Sequence, residues 1–117
     1  MNYQNETLPP GAKKIGSTPT MTEETVVPGI LKKHLAPRGR FGYLVVEEGV
    51  LQFVWEDDVD NVLDADPEHP IVIFPERFHH VAITGKVRFR VEFYDVGGID
   101  IDAGLQQKGI RPGEDFI

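Results

Sequence analysis

With 117 residues the chain is the size of one domain, able to bury roughly two thirds of its unfolded surface, and too short to expect a second independent one. Its 12 basic and 19 acidic residues give a formal charge of −7, which argues against the clustered positive surface that a phosphate backbone needs, so no nucleic acid partner is expected. Cysteine is absent, which excludes disulfides and thiolate metal sites and leaves imidazole and carboxylate as the means of holding any metal.

The opening "MNYQNETLPPG" has neither a basic leader nor an apolar stretch, and no later run approaches the roughly 20 apolar residues of a membrane span. A soluble, cytoplasmic protein with no membrane partner is expected. Residues 1–28 are rich in Pro, Thr, Gly and Glu without a sustained period. They predict an extended arm holding at most a short strand near Lys14–Gly16, either loose or pinned on a neighbour. From Gly29 the pattern changes to short apolar runs punctuated by Gly and Pro: "GILKKHL", "FGYLVVEEG", "VLQFVW", "PIVIFP", "HVAIT" and "VRFRVEFYDV". These predict strands of about four to eight residues.

In "VEEGVLQF" the Glu48-Gly49 step reads as a hairpin, because glycine supplies the positive φ of a tight reversal. The acidic stretch 56–69, "EDDVDNVLDADPEH", predicts a solvated loop, since Asp-rich runs favour turns and Pro67 stops a helix. It lacks the spacing and fixed glycine of an EF-hand calcium loop. In "IVIFPERFHHVAIT" two histidines follow a proline turn, and adjacent strand residues face opposite ways. If Val81 and Ile83 face the core, His79 joins them and His80 lies outside with Ala82 and Thr84. "KVRFRVEFYD" is the cleanest alternation: Val87, Phe89, Val91 and Phe93 on one face, Arg88, Arg90, Glu92 and Tyr94 on the other. After it, "DIDAGLQQKGIRPGEDFI" predicts at most a short helical turn near 103–108. Many short strands with regular turn signals predict an all-β antiparallel barrel or sandwich.

Of the four histidines, His34, His69, His79 and His80, strand parity points only His79 inward. In "GILKKHL" it does not by itself favour an inward His34. Glu76 and Arg77 occupy the proline turn, placed either to orient a ligand or simply exposed. Trp55, Phe53 and Phe78 line a pocket or fill the core. Arg38 and Arg40 suit an anion, because guanidinium pairs well with carboxylates and oxyanions, or else pair with Asp57, Asp58 or Glu68.

"PGILKKHLAPRGRFGYLVVEEGVLQF" followed by "PIVIFPERFHHVAITGKVRFRVEFYD" resembles the small cupin-like domain of the tellurite-resistance-associated TehB-type and YeaR-type proteins. The pattern is carried by His34, Gly39, Gly42, Leu44, Gly49, Pro75, His79, Val81, Phe89 and Phe93. The resemblance implies a single cupin-like antiparallel β-barrel, or jelly roll, over residues 18–96, flanked by an N-terminal arm over 1–17 and a tail over 97–117 packing on the barrel. It also implies a pocket with His34 and His79 near its mouth. Cupins commonly hold a divalent metal through histidines and a carboxylate. Here the superfamily's E-x6-G spacing, counted back from Gly49, puts the glutamate on Gly42, and its His-x-His slots fall on Ala36 and Arg38 or Leu35 and Pro37, so three usual ligands are absent. His34 and His79 then need a third ligand from Glu47, Glu48 or Glu92 to hold zinc, iron or manganese.

Three functions follow from these residues. The first is a metal- or small-ligand-binding protein of stress or tellurite resistance, taking a small molecule or oxyanion with help from Arg38, Arg40 and Glu76. The second is a metal-dependent dioxygenase or isomerase using the same residues. The third is an interaction module whose arm adds to another subunit in a homodimer. Methyl transfer is not implied, because the chain has no glycine-rich methyltransferase segment.

Overall fold

The structure, a computed structural model, describes residues 2–96; the predicted tail 97–117 and its helical turn lie outside the described residues. The described residues form β-strands and one 3-10 turn, so the fold is all-β. In chain order the strands are β1 (Ala12–Ser17), β2 (Met21–Thr22), β3 (Arg40–Gly49), β4 (Leu51–Trp55), β5 (Leu63–Ala65), β6 (Ile71–Ile73), β7 (His79–Ala82) and β8 (Val87–Val96).

Their ladders make two antiparallel sheets and do not close into one barrel among the described residues. The larger runs β1-β8-β3-β6, with β2 beside β1 along the same edge of β8. The smaller runs β5-β4-β7. The alternation in 87–94 is realised directly. Val87, Phe89 and Val91 are buried, and together with Leu44 and Val46 of β3 they meet Leu51, Phe53, Trp55, Leu63 and Val81 of the other sheet in one core. Burying each such side chain contributes about 1.5–3 kcal/mol.

The Glu48-Gly49 step is a corner rather than a hairpin, because β3 pairs with β6 and β8 while β4 pairs with β5 and β7. Gly49 has φ +85°, and a Cβ there would stand 2.3 Å from the Lys86 carbonyl oxygen, so both conformation and space require glycine. The acidic stretch contains a strand that its composition hides: Leu63 and Ala65 are buried and pair with Phe53 and Leu51. Tertiary pairing outweighs the turn preference of the surrounding aspartates here.

"GILKKHL" is not a strand. Pro28 starts a 3-10 turn over Pro28–Leu31, and the chain turns extended only at Lys32. Within the arm, Ala12–Ser17 lies along β8 of its own chain, with a bulge at Ile15. Asn2 bonds Asn61, Val62 and Asp64, and Gln4 exchanges two hydrogen bonds with the backbone of Val72.

Candidate functional site

The extended segment after the 3-10 turn meets β7 at a single point. His34 and His79 form an isolated antiparallel bridge, each amide N–H donating to the other's carbonyl at 2.9 and 2.8 Å. Such a reciprocal pair places two residues directly opposite one another, and both imidazoles turn inward: His79 is fully buried and His34 is 5% exposed. Their ring centroids are 4.2 Å apart at 64°. Phe53 stacks on His79 at 5.0 Å, and Trp55 meets it edge-on at 5.5 Å.

Each ring is oriented by the same local device. His34 Nδ1 lies 2.7 Å from the Lys32 carbonyl oxygen, and His79 Nδ1 lies 3.0 Å from that of Arg77. A carbonyl oxygen only accepts, so both Nδ1 atoms carry the proton and donate. In the neutral rings Nε2 is then the lone-pair atom, the tautomer that serves a metal or accepts a proton from a ligand.

The three carboxylates considered as a third ligand are engaged elsewhere. A bulge between Val46 and Glu48 in β3 breaks the alternation. Glu47 bonds Arg90 at 2.9 Å and Glu48 bonds Arg88 at 3.0 Å, both on the outer face of the large sheet. Glu92 lies on that outer face too, accepting from Arg90 at 2.8 Å, Tyr94 at 2.9 Å and Lys14 at 3.3 Å. Burial raises its carboxyl pKa, but these donors outweigh burial and hold it below the usual carboxylate value.

Gly42, where the cupin spacing would put a glutamate, is closed to one for a steric reason. A Cβ on Gly42 would stand 3.0 Å from Ile73 Cδ1 and 3.1 Å from Ile73 Cβ, so Ile73 fills the space a longer side chain needs. Among the described residues no group of three His, Asp or Glu side chains is placed to hold a metal.

The other candidates are spread over the surface and the core. Arg38 Nε is 4.0 Å from Glu76 Oε1, both half-exposed, and Arg40 opens β3 opposite Asp95. Glu76 itself has φ +61°, and its N–H donates to the Ala36 carbonyl at 2.8 Å, which ties the proline turn to the segment after His34. His80 points away from the core and hydrogen-bonds Glu56. Phe53 and Trp55 fill the core, whereas Phe78 is exposed beneath the Lys33 ammonium at 4.6 Å.

Sequence reasoning missed the work of Arg77, whose guanidinium forks onto Asp57 at 3.0 and 2.7 Å and lies 4.1 Å from the centre of the Trp55 ring. The sequence suggests Arg38 and Arg40 as the partners of Asp57 instead. The usable signal is position: Arg77 is two residues before His79 on a turn, close enough for side chain and carbonyl both to serve the neighbouring strand.

These residues define a two-sheet, all-β domain with a buried histidine pair between a 3-10 turn and a proline turn. The family model described as "TehB-like domain" matches residues 16–91, and the chain belongs to that family. Its fold is similar to the crystal structure of an Escherichia coli strain K12 protein, with TM-score 0.68 and 23% identity over 76% of this chain and 95% of that one. It is also similar to TehB from Haemophilus influenzae, with TM-score 0.70 and 22% identity over 87% of this chain but 37% of TehB. No curated protein matches the chain. No helix among the described residues is long and apolar enough to cross a membrane.

Proposed function

We propose that this chain is a small-ligand-binding module of the cupin type, acting in the stress or tellurite-resistance setting that the TehB-like family name suggests. The observation that carries the reading is the matched pair of buried imidazoles, both turned by Nδ1 into the tautomer whose lone pair is on Nε2. Two buried imidazoles held in one orientation by the main chain suit a small polar ligand, such as an oxyacid or a polyhydroxylated molecule. Arg38 and Glu76 lie on the turn region around the pair and are the candidate rim contacts. A second reading, a divalent zinc, iron or manganese ion held by the same Nε2 atoms, is favoured by the same tautomers but needs a ligand from outside the described residues.

The test is elemental analysis of the purified protein, alone and after loading with each metal, beside His34→Gln and His79→Gln variants and a thermal-shift screen of oxyacids and polyols. The expected result is metal well below one equivalent, with a stabilising ligand whose effect disappears in both variants. Near-stoichiometric metal lost in both variants would establish the second reading. Ligand and metal responses identical in wild type and variants would overturn both.

A further inference from the structure

The two carbonyls that orient the histidine rings stand on differently built supports. Lys32, which serves His34, has an ordinary extended backbone, φ −118° and ψ 162°, and closes the 3-10 turn by donating its N–H to the Gly29 carbonyl. Arg77, which serves His79, follows Glu76 at φ +61°, the left-handed region that a residue with a Cβ rarely adopts. Such a conformation persists only where the surroundings over-determine it, and it gathers at sites where geometry is put to use.

The surroundings grip this turn from two sides. Glu76 is tied by its N–H to the Ala36 carbonyl at 2.8 Å, and the end of β4 holds the chain around His79. There the Glu56 N–H donates to the Phe78 carbonyl at 2.9 Å and the Glu56 carboxylate bonds His80. Asp57, the next residue, takes the fork from Arg77, with Nε at 3.0 Å and Nη2 at 2.7 Å, and these bonds hold its carboxyl below the usual carboxylate value. Arg77 thus reaches His79 twice. Its carbonyl accepts from Nδ1 at 3.0 Å, and its guanidinium lies 4.1 Å from the centre of the Trp55 ring, which meets His79 edge-on at 5.5 Å. Stability does not account for the arrangement, because the Arg77 and Asp57 side chains are 37% and 62% exposed and an ion pair so open to solvent contributes little. A planar fork does what a point charge does not: it fixes the direction of the residue that carries it.

We propose that Arg77 is the positioning residue of His79 and that Asp57 holds it in that role. The fork and the Trp55 face fix the Arg77 side chain, the left-handed turn and the end of β4 fix its peptide, and its carbonyl then sets the His79 ring. The device acts on His79 and not on His34, whose orienting carbonyl belongs to the 3-10 turn. Its purpose rests on the reading of the histidine pair as a binding site, but the positioning is measured without any ligand, so the two fail separately.

The test is NMR of the full chain with nitrogen-labelled histidine, in the wild type, Asp57→Asn and Arg77→Lys, beside urea unfolding of all three. Lysine keeps the charge and loses the fork, and both changes fall on exposed side chains outside the core. In both variants the His79 Nδ1–H is expected to exchange with water about fivefold faster and the His79 ring nitrogens to shift, while the His34 ring signals and the unfolding midpoint stay close to those of the wild type. A purely structural ion pair would move the midpoint and leave the ring of His79 as it is. Unchanged His79 signals and exchange in both variants would overturn the proposal, and so would changes at His34 as large as those at His79, which would mean general loosening.

Discussion

Two buried polar clusters lie on opposite faces of the large sheet and are satisfied by opposite means. Inside, His34 and His79 are held by backbone carbonyls two residues upstream of each, among Phe53 and Trp55. Outside, Glu92 is 6% exposed and held by side chains alone, Arg90, Tyr94 and Lys14, which also link it through Arg90 to Glu47. The inner cluster has its orientation fixed by the main chain and its lone pairs on Nε2. In the outer cluster each carboxylate oxygen is already met by donors. The outer carboxylate is held by charged and polar side chains and the inner imidazoles are oriented by the main chain; burial alone does not tell the two apart.

The largest effect that sharpens this contrast is expected at His79. His79→Ala opens a cavity under Phe53 and leaves the Arg77 carbonyl without its donor, a combined loss of about 3–4 kcal/mol. Urea unfolding measures it directly, as a lowered midpoint at unchanged slope. A loss below about 1 kcal/mol would mean that water replaces the ring easily, and that the inner cluster is as adaptable as the surface.

Glu92→Gln is expected to destabilise by about 1–2 kcal/mol near neutral pH, less than a fully enclosed ion pair because Lys14 and Arg90 keep contact with solvent. The pH dependence separates the clusters more cleanly. The folded-state pKa of Glu92 is depressed, so its contribution is fully present above the ordinary carboxylate value of about 4.3 and is lost as pH falls through the lower folded value. Stability of the wild type therefore falls on acidification below about pH 5 more steeply than that of Glu92→Gln. Parallel acid limbs for the two proteins would remove Glu92 from the groups that matter there.

How far these clusters are legible in the sequence depends on the length of the alternating run around each. Residues 87–94 alternate over eight positions, which is enough to put Glu92 and Arg90 on one face from the pattern alone. His79 is readable for the same reason, from Val81 and Ile83. His34 is not, because the 3-10 turn over Pro28–Leu31 resets the phase of the chain and only a one-residue bridge follows. Glu47 and Glu48 are plausible ligands by alternation, since one of two neighbours should face inward; the β3 bulge sends both outward. The sheet change at Gly49 looks like a hairpin because positive φ serves a corner as well as a reversal, and pairing partners are not written locally. Leu63–Ala65 is hidden by its acidic flanks, although two apolar residues around an outward aspartate form a complete three-residue strand.

The smallest predicted effect tests how the outer cluster divides its work. Lys14 sits on edge strand β1 at 50% side-chain exposure, 3.3 Å from the same Glu92 oxygen that takes two bonds from Arg90. The ammonium is flexible and solvated, whereas the guanidinium donates through two nitrogens in a fixed plane and spans Glu92 and Glu47 together. Lys14→Ala is therefore expected to lose no more than about 0.5 kcal/mol, a loss that fades in high salt, while Arg90→Ala loses several times as much because Glu92 then stays buried with weaker partners. Equal losses for the two variants would show that β1 seals the carboxylate by covering it, so that the arm contributes to the outer cluster through burial and not through charge.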